Sequence, residues 1–569
     1  MCIRDSASTP QSQRPLSDSS NSSPFTPETV NRPDELDSSS ADASSEPKRF
    51  RSLSDIYNST VAIELADEML LLGIDDPVTY EQAARDNVWK EAMHNEIEAI
   101  ERNKTWVLTS LPRGHKAIDL KWVFKVKKDT NGEIVKHKAR LVAKGYVQKY
   151  GIDYEEVFAP VTRMETVRLL LALAAKNDWE VHHLDVKSAF LNGELEEEVY
   201  VSQPKGYVKA GQETKVYRLL KALYGLRQAP RAWYAQLNKC LLRLGFVKCP
   251  YEHAVYTRRE GSETLILGVY VDDLLITGTN IANIVSFKKQ MAREFDMTDL
   301  GTLSYYLGLE VEQRKGSIKL EQTAYAKKVL EKTGMSECNP VKYPMEHKIQ
   351  LTKDEGGEPV DPTQFKSMVG GLRYLVHTRP DIAYAVGIVS RYMERPTTLH
   401  FNAAKRILRY VKGTINFGLV YTKGRGNYLL AGFSDSDLAG SVEDRRSTGG
   451  MVFYLDESLI TWISQKQRCV ALSSCEAEFM AATAAACQAI WLQRVLKQIS
   501  DVKVGPVTLY IDNRSAVDLA KNPVFHGRSK HIDVRYHFIR ECVEQGLIVI
   551  KHISTGEQRA DILTKALSA

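Results

Sequence analysis

The chain has 569 residues, 43% of them hydrophobic and 26% charged, with a net charge of +5. That composition suits folded protein of roughly three or four domains, and no run of about 18 apolar residues predicts a spanning helix. The N-terminal MCIRDSASTP lacks the apolar core of a secretory signal. The eight cysteines form no C-x-x-C pair, which argues against a zinc site and a disulfide framework and suits a reducing compartment.

The first fifty residues contain thirteen serines and only two aromatics, Phe25 and Phe50. Such a segment buries too little apolar area to offset its ordering entropy, so residues 1–60 are predicted to be a disordered linker. TYEQAARDNVWKEAMHNEIEAIERNK (79–104) spaces its apolar residues at helical intervals. KWVFKVKKDTNGEIVKHKARLVAKG (121–145) reads as a β-hairpin turning at Asn131-Gly132. Residues 113–149 hold eleven Lys or Arg against three acids, a charge suited either to phosphates or to a solvated face. A helix is predicted over 163–177, a strand entering a turn over 179–190, and a mostly helical segment over 218–245 broken near Gly225 and Pro230. LGVYVDDLLITG (267–278) reads as a hairpin with Asp272 and Asp273 at its turn.

A long helical region is expected next, including HFNAAKRILRYVKG (400–413). Residues 403–425 carry six Lys or Arg and no acid. The pattern then changes to three successive strands, at YLLAGFSDSD, GGMVFYL and LITWISQ. An Ala-rich helix (474–498), the strand VTLYID, a helix (530–545), the strand LIVIKHI and a short helix (558–567) complete the chain.

Two adjacent carboxylates between apolar arms need compensation if buried. Plain turn chemistry is one reading, since Asp tolerates turns well. Metal binding is the other: Mg²⁺ takes carboxylates and substrate phosphates, and its charge offsets their repulsion. LDVKSAFLNG, LYGLRQAPRAW and YVDD, in that order, resemble the polymerase motifs of reverse transcriptases, and most closely those of Ty1/copia-type LTR retrotransposons. KARLVAKGYVQKYGIDYEEVFAPV, SYYLGLEV and HFNAAKRILRYVKGT share the resemblance, which runs from about Trp89 almost to the C-terminus.

The resemblance implies a multidomain α+β and α/β protein. A right-hand polymerase with fingers, a ferredoxin-like palm and a thumb would be followed by a ribonuclease H-like mixed-sheet domain. The expected bounds are 75–347 for the reverse transcriptase, 348–425 for a basic thumb or connection region, and 426–569 for ribonuclease H. By motif, Asp185, Asp272 and Asp273 become the palm carboxylates, with Asp273 less directly bound to metal. Lys127 and Arg140 are expected to grip the triphosphate, and Gln228, with Gly225 and Pro230, to support nucleotide and template. Tyr224 is assigned no specific hydrogen bond, and Tyr306-Leu307-Gly308 resembles a primer-gripping turn. Phe190, five residues beyond Asp185, is expected under the sugar, where a bulky ring excludes a 2′-hydroxyl. Lys405, Arg406, Arg409 and Lys412 are expected along the template–primer duplex.

The strand order after residue 428 is that of ribonuclease H, whose pattern implies metal ligands at Asp435, Asp512 and Asp561. The fourth comes from Glu476 or Glu478. Ser473-Ser474-Cys475-Glu476 is a capping-box pattern, which gives Glu476 a structural task. Ala481 and Ala485 follow Glu478 at the spacing found in ribonuclease H, so Glu478 is taken as the ligand. His552 is left unassigned, and His531, in SKHIDVRYHF, is read as an ordinary structural histidine, with a substrate contact as the alternative. The implied cofactor is Mg²⁺, two per active site, with Mn²⁺ as an alternative. The implied partners are an RNA template, an RNA–DNA hybrid, a primer such as host tRNA, dNTPs, and the element's Gag-like and integrase products. No membrane is implied. The expected setting is cytoplasmic virus-like particles, with a nuclear phase for the DNA product.

Overall fold

The computed structural model describes residues 77–128, 134–347, 349–353, 357–424, 428–500, 502, 504–521 and 533–566. The serine-rich head, the turn at Asn131-Gly132, and His531 lie outside the described residues.

The segment predicted as one helix over 79–104 divides in two. A single turn, Tyr80–Ala83, precedes α1, Asn87–Arg102, which is capped by the Asp86 side chain. The buried residues of α1, including Trp89, Met93, Ile97 and Ile100, face the antiparallel pair β2 (Leu120–Lys128) and β3 (Ile134–Ala143). Trp122, Phe124, Ala139 and Leu141 make the buried face of that pair. Side chains alternate along a strand, so Lys125, Lys136, Lys138 and Arg140 belong to the opposite face. The register sets Lys125 across from Lys138 and Lys127 across from Lys136.

Strand β1 (Trp106–Thr109) joins β5 (Glu194–Val201) and β6 (Val216–Lys221) in a three-stranded sheet. The first part of 218–245 is therefore a strand rather than a helix. Leu219, Leu220 and Leu223 do fall at near-helical spacing, but burial along β6 follows its pairing with β1 and β5. The helix α3 begins only at Ala229 and runs to Arg243. Before it in the chain come α2 (Met164–Asn177) and β4 (Val181–Val186).

Strands β7 (Val247–Lys248), β8 (Val255–Glu260), β9 (Glu263–Tyr270), β10 (Asp273–Gly278) and β11 (Met297–Thr302) complete a six-stranded sheet with β4. Its order is β11-β4-β10-β9-β8-β7. Between β10 and β11 runs α4, Ile281–Glu294. The region expected to be helical then opens with three more strands, β12 (Tyr305–Tyr306), β13 (Leu309–Arg314) and β14 (Ser317–Glu321). They are joined by β15 (Gly418–Thr422), which returns to pair with β14 from about a hundred residues further on. Between them lie α5 (Thr323–Lys332), α6 (Pro362–Leu375), α7 (Ala383–Val389) and α8 (Thr398–Gly413), packed on one another through Phe365, Leu372, Val386 and Ile407.

The C-terminal sheet has the order β18-β17-β16-β19-β20. Strands β16 (Leu430–Ser436), β17 (Thr448–Leu455) and β18 (Ser458–Lys466) are antiparallel, and β19 (Val507–Ile511) and β20 (Ile548–His552) continue from β16 in parallel. Helix α9 (Ser474–Ile499) packs against this sheet, with α10 (Arg514–Lys521) and α11 (Asp533–Glu544) beside it.

The helix α2 is apolar nearly all round, TVRLLLALAAK, and a helix of that kind is buried on every side. It packs on β9, where Leu170 would lie 3.0 Å from a Cβ at Gly268, and on β14, β15 and β18. Its two buried cations have internal partners. Arg168 donates to the Ile460 carbonyl at 2.8 Å and the His377 carbonyl at 2.9 Å, with its guanidinium 3.9 Å from the Trp462 ring. Lys176 bonds Asp456 at 2.5 Å.

Candidate active sites

The antiparallel register of β4 and β10 sets Asp185 directly opposite Asp273. Like charges opposed across a strand pair repel. Asp272 occupies the two-residue turn between β9 and β10 with Val271, whose φ is +54°. A positive φ is costly for a β-branched residue, so the turn must be held by its surroundings. Trp233 donates its indole N–H to the Val271 carbonyl at 2.7 Å, and the Val186 amide donates to the Asp272 carbonyl at 2.9 Å. Asp272 is thereby fixed beside β4. Burial, with Asp273 and Asp185 acting the same way and Lys138 opposing them, raises its pKa to about 6. Asp273 is engaged differently, with Oδ1 2.7 Å from Nε2 of the buried His183. The His183 ring meets Tyr306 edge-on, and Tyr374 donates to the carbonyl of Leu307, which with Gly308 has positive φ.

Arg140 pairs with Glu96 at 2.9 Å and lies 4.6 Å from the Tyr224 ring. Tyr224 in turn packs against Phe190 with ring centroids 4.9 Å apart. Burial raises the Tyr224 pKa, and Asp272 and Asp185 contribute in the same direction. Arg140, Tyr224 and Phe190 therefore form a continuous layer beside the aspartates. Lys127 lies on β2, and its side chain is outside the described residues. Lys138, which acts on Asp272, was not singled out in the sequence; the β2–β3 register would have placed it on the cationic face. Gln228 is buried and internally engaged: its carbonyl accepts from the Gln148 amide at 3.0 Å, and its own amide donates to the Asp153 carbonyl at 3.0 Å.

The second centre forms on the C-terminal sheet. Asp435 lies on β16, Glu478 on α9 and Asp512 just beyond β19. One ligand oxygen from each falls within 4.8 Å of the others, and these three form the single such cluster among the described residues. Glu478 accepts the Ser436 amide at 3.1 Å, while its buried Oε2 has no donor. Burial raises its pKa to about 10, with Asp435 and Asp512 adding to the shift. Glu476 instead caps the start of α9, where its carboxylate accepts the Leu472 amide at 3.0 Å and its own amide donates to Ser473 at 3.2 Å.

Asp561 is carried by a short helical turn, Asp561–Leu563, that presses against β17. Gly450 permits this approach, because a Cβ there would lie 2.8 Å from both Leu563 and Thr564. Thr564 donates to Asp435, and Gln558 to the Ser434 carbonyl at 2.9 Å. Burial raises the Asp561 pKa to about 6, against the pull of Lys565, paired at 2.8 Å. His552 lies 3.2 Å from the Asp512 carbonyl, and Thr555 donates to the Asp512 carboxylate at 3.1 Å. Asp435, Glu478 and Asp512, with the buried Glu478 Oε2 lacking a donor, fit a divalent cation, whereas Asp561 stands outside that cluster, paired with Lys565.

The cations of α8 have protein partners. Arg406 pairs with Glu346 at 2.8 Å, Arg409 donates to the Asn339 carbonyl at 2.7 Å, and Lys412 donates to the Ser336 carbonyl. Lys405 lies over the Phe401 ring. Three of the four residues expected along a nucleic-acid duplex thus hold segment 336–346 onto α8.

Residues 103–347 match the family described as reverse transcriptase (RNA-dependent DNA polymerase). Over 522 residues, 90% of its length, the chain is 40% identical to the retrovirus-related Pol polyprotein from transposon TNT 1-94 of Nicotiana tabacum. It is also 40% identical over 510 residues to that from transposon RE1 of Arabidopsis thaliana. It spans 39% and 34% of those two polyproteins. A transposon Ty5-1 protein of Saccharomyces cerevisiae is 32% identical over 304 residues, with 98% of that protein covered. The chain belongs to the Pol polyproteins of copia-type retrotransposons. In structure it is similar to a foamy viral protease-reverse transcriptase solved with an RNA/DNA hybrid. That likeness has a TM-score of 0.48 and 12% identity, covering 83% of this chain and 54% of the other.

Proposed function

We propose that this chain is the reverse transcriptase and ribonuclease H part of a copia-type Pol polyprotein, with two separate phosphoryl-transfer centres. The observation that carries the reading is the pair of acidic centres on different sheets, one at Asp185, Asp272 and Asp273 and one at Asp435, Glu478, Asp512 and Asp561. In this reading the six-stranded sheet is the palm, the β2–β3 pair belongs to the fingers, and the C-terminal sheet is a ribonuclease H domain. The corresponding bounds are 75–347, a connection at 348–425, and 426–569, after a linker over 1–60.

Asp185 and Asp272 would hold Mg²⁺ at the first centre, with Asp273 turned toward His183, and the four acids of the C-terminal sheet would hold it at the second. The bound cations supply neutralising charge for attacking and leaving oxygens. The chain's own residues do the rest. The raised pKa of Asp272 reflects a carboxylate waiting for a counter-charge. The cationic face carrying Lys125, Lys136 and Lys138, on the strand pair that also bears Lys127, supplies donors for the triphosphate of an incoming dNTP. Arg140, stacked on Tyr224, stiffens the wall that backs Phe190, and Phe190 excludes a 2′-hydroxyl. Gln228 supports the template side by fixing its neighbouring loop.

The substrates are an RNA or DNA template, a primer that begins as host tRNA, and an RNA–DNA hybrid. Gag-like and integrase products would accompany the enzyme in a cytoplasmic particle, with a nuclear phase for the DNA. The test is primer extension on poly(rA)/oligo(dT) with Mg²⁺, beside cleavage of labelled RNA in a hybrid. Asp272→Asn should abolish extension and leave cleavage largely intact. Loss of both activities in a folded variant would refute two independent centres.

A further inference from the structure

Strand β4 reads VHHLDV, with two histidines in an otherwise apolar run leading to Asp185. Both are buried, each 8% exposed. Alternation along the strand sends them to opposite faces. His182 has its partners on one side: Nδ1 lies 3.0 Å from the Lys288 amino group and Nε2 3.2 Å from the Glu180 carboxylate. His183 shares the other face with Asp185.

The register sets His183 across from Leu275, which makes Asp273 its diagonal neighbour on β10. There the imidazole Nε2 meets Oδ1 of Asp273 at 2.7 Å. An ionised carboxylate only accepts hydrogen bonds, so the ring N–H donates. The bond holds Asp273 by one oxygen and leaves Oδ2 as the oxygen that the ring does not hold. The ring is itself kept in place. Tyr306, 1% exposed, packs edge-on against it with centroids 5.4 Å apart. Tyr306 is buried there although its hydroxyl has no partner. The turn that follows is fixed by Tyr374, which donates to the Leu307 carbonyl and whose hydroxyl would lie 2.6 Å from a Cβ on Gly308. Closely packed side chains of this kind keep one rotamer.

A carboxylate held by one oxygen suits some cations better than others. Mg²⁺ is small, demands a near-ideal octahedron and is bound through one or two carboxylates, whereas Ca²⁺ takes more oxygens in flexible geometry and accepts both oxygens of one carboxylate. An Asp273 free to turn could offer both oxygens to the larger ion. With Oδ1 engaged by His183 it cannot.

We propose that His183 is a positioning residue that pins Asp273 by one oxygen and thereby sets the preference of the polymerase centre for Mg²⁺ over the larger Ca²⁺. The proposal rests on the polymerase reading above. The test uses the full chain on a DNA template with a dideoxy-terminated primer, so that neither incorporation nor hybrid cleavage occurs. The affinity for the next dNTP is read as resistance of the complex to heparin, in Mg²⁺ and in Ca²⁺. The parent should bind the dNTP more tightly in Mg²⁺. In His183→Leu the ratio of the two affinities should shift toward Ca²⁺ by about 10- to 100-fold, the scale on which partners of metal-binding groups act. His183→Gln, whose amide N–H can reach the same oxygen, should restore the ratio.

Melting temperature checks the fold, and His183→Asn, polar but too short to reach Oδ1, stands in for His183→Leu if that variant does not fold. Equal loss of affinity in both ions, or no loss in either, would overturn the proposal and make His183 a packing residue. So would a parent without a Mg²⁺ preference, or a His183→Gln variant that behaves like His183→Leu. Failure of the parent to bind the dNTP on primer–template in either ion would instead bring down the polymerase reading itself.

Discussion

Replacing Glu478 by Gln should make the metal-free protein more stable at alkaline pH while removing hybrid cleavage. Glu478 is 5% exposed and shares its site with Asp435 and Asp512, so its pKa rises from 4.5 to about 10. The folded chain therefore keeps a proton that the unfolded chain has released. Stability is full below pH 4.5 and falls as pH climbs toward 10, by about 1.4 kcal/mol per pH unit. Over the 3.5 units from pH 4.5 to pH 8, the parent loses about 5 kcal/mol that a neutral glutamine does not lose. For a chain of this size, that is on the order of 5 °C in melting temperature.

Divalent metal should narrow that gap at pH 8 without closing it. A hundredfold excess over the dissociation constant stabilises the parent by about 2.7 kcal/mol, and the variant, lacking the carboxylate, should gain less. The assay is thermal melting of both proteins in EDTA and in Mg²⁺ at pH 5 and pH 8, with cleavage of labelled hybrid RNA alongside. If the variant lost stability with pH in parallel with the parent, Glu478 would not be the group that holds the proton. If Glu476→Gln abolished cleavage and Glu478→Gln did not, the assignment of the two glutamates would be reversed.

Phe190→Val should keep dNTP incorporation at reduced efficiency and lower the dTTP/UTP preference by about 10- to 100-fold, the scale of steric discrimination in a pocket. Single-nucleotide insertion kinetics would measure it, and an unchanged preference in a folded variant would make Phe190 a packing residue. Arg168→Met should destabilise the protein by about 2–4 kcal/mol, because two buried carbonyls lose their donor and Trp462 loses its cation, partly offset by no longer burying a charge. Urea unfolding followed by circular dichroism would show it, and a variant as stable as the parent would refute the structural role of this contact.

That Asp435 and Asp512 would meet an acid of α9 could be read from the sequence, because each sits in a short motif whose spacing survives without knowledge of the fold. Glu478 could be separated from Glu476 in the same way, through a capping pattern and two alanines, and α9 does bring Glu478 to Asp435 and Asp512. The strands β6 and β12 to β14 were not legible. RLLKALYG (218–225) and SYYLGLEV (304–311) have apolar residues that fit a helix about as well as a strand, and pairing with β1, β5 and β15 decides between them.

Charge was the least legible property, because a count of lysines and arginines does not reveal which partner each one meets. The acid-free run 403–425 looks like a phosphate-binding surface, yet Arg406, Arg409 and Lys412 turn to Glu346 and to the carbonyls of Asn339 and Ser336. Those partners lie about sixty to seventy-six residues away in sequence and belong to no motif. The cationic face of the β2–β3 pair is the opposite case. There the alternation of the strands and their register place Lys125, Lys136 and Lys138 on one side, and the field of Lys138 reaches Asp272. A basic run becomes evidence for a substrate when the fold aims it at an acidic centre. By that criterion the hairpin, rather than the helix, is the segment to test for nucleotide binding.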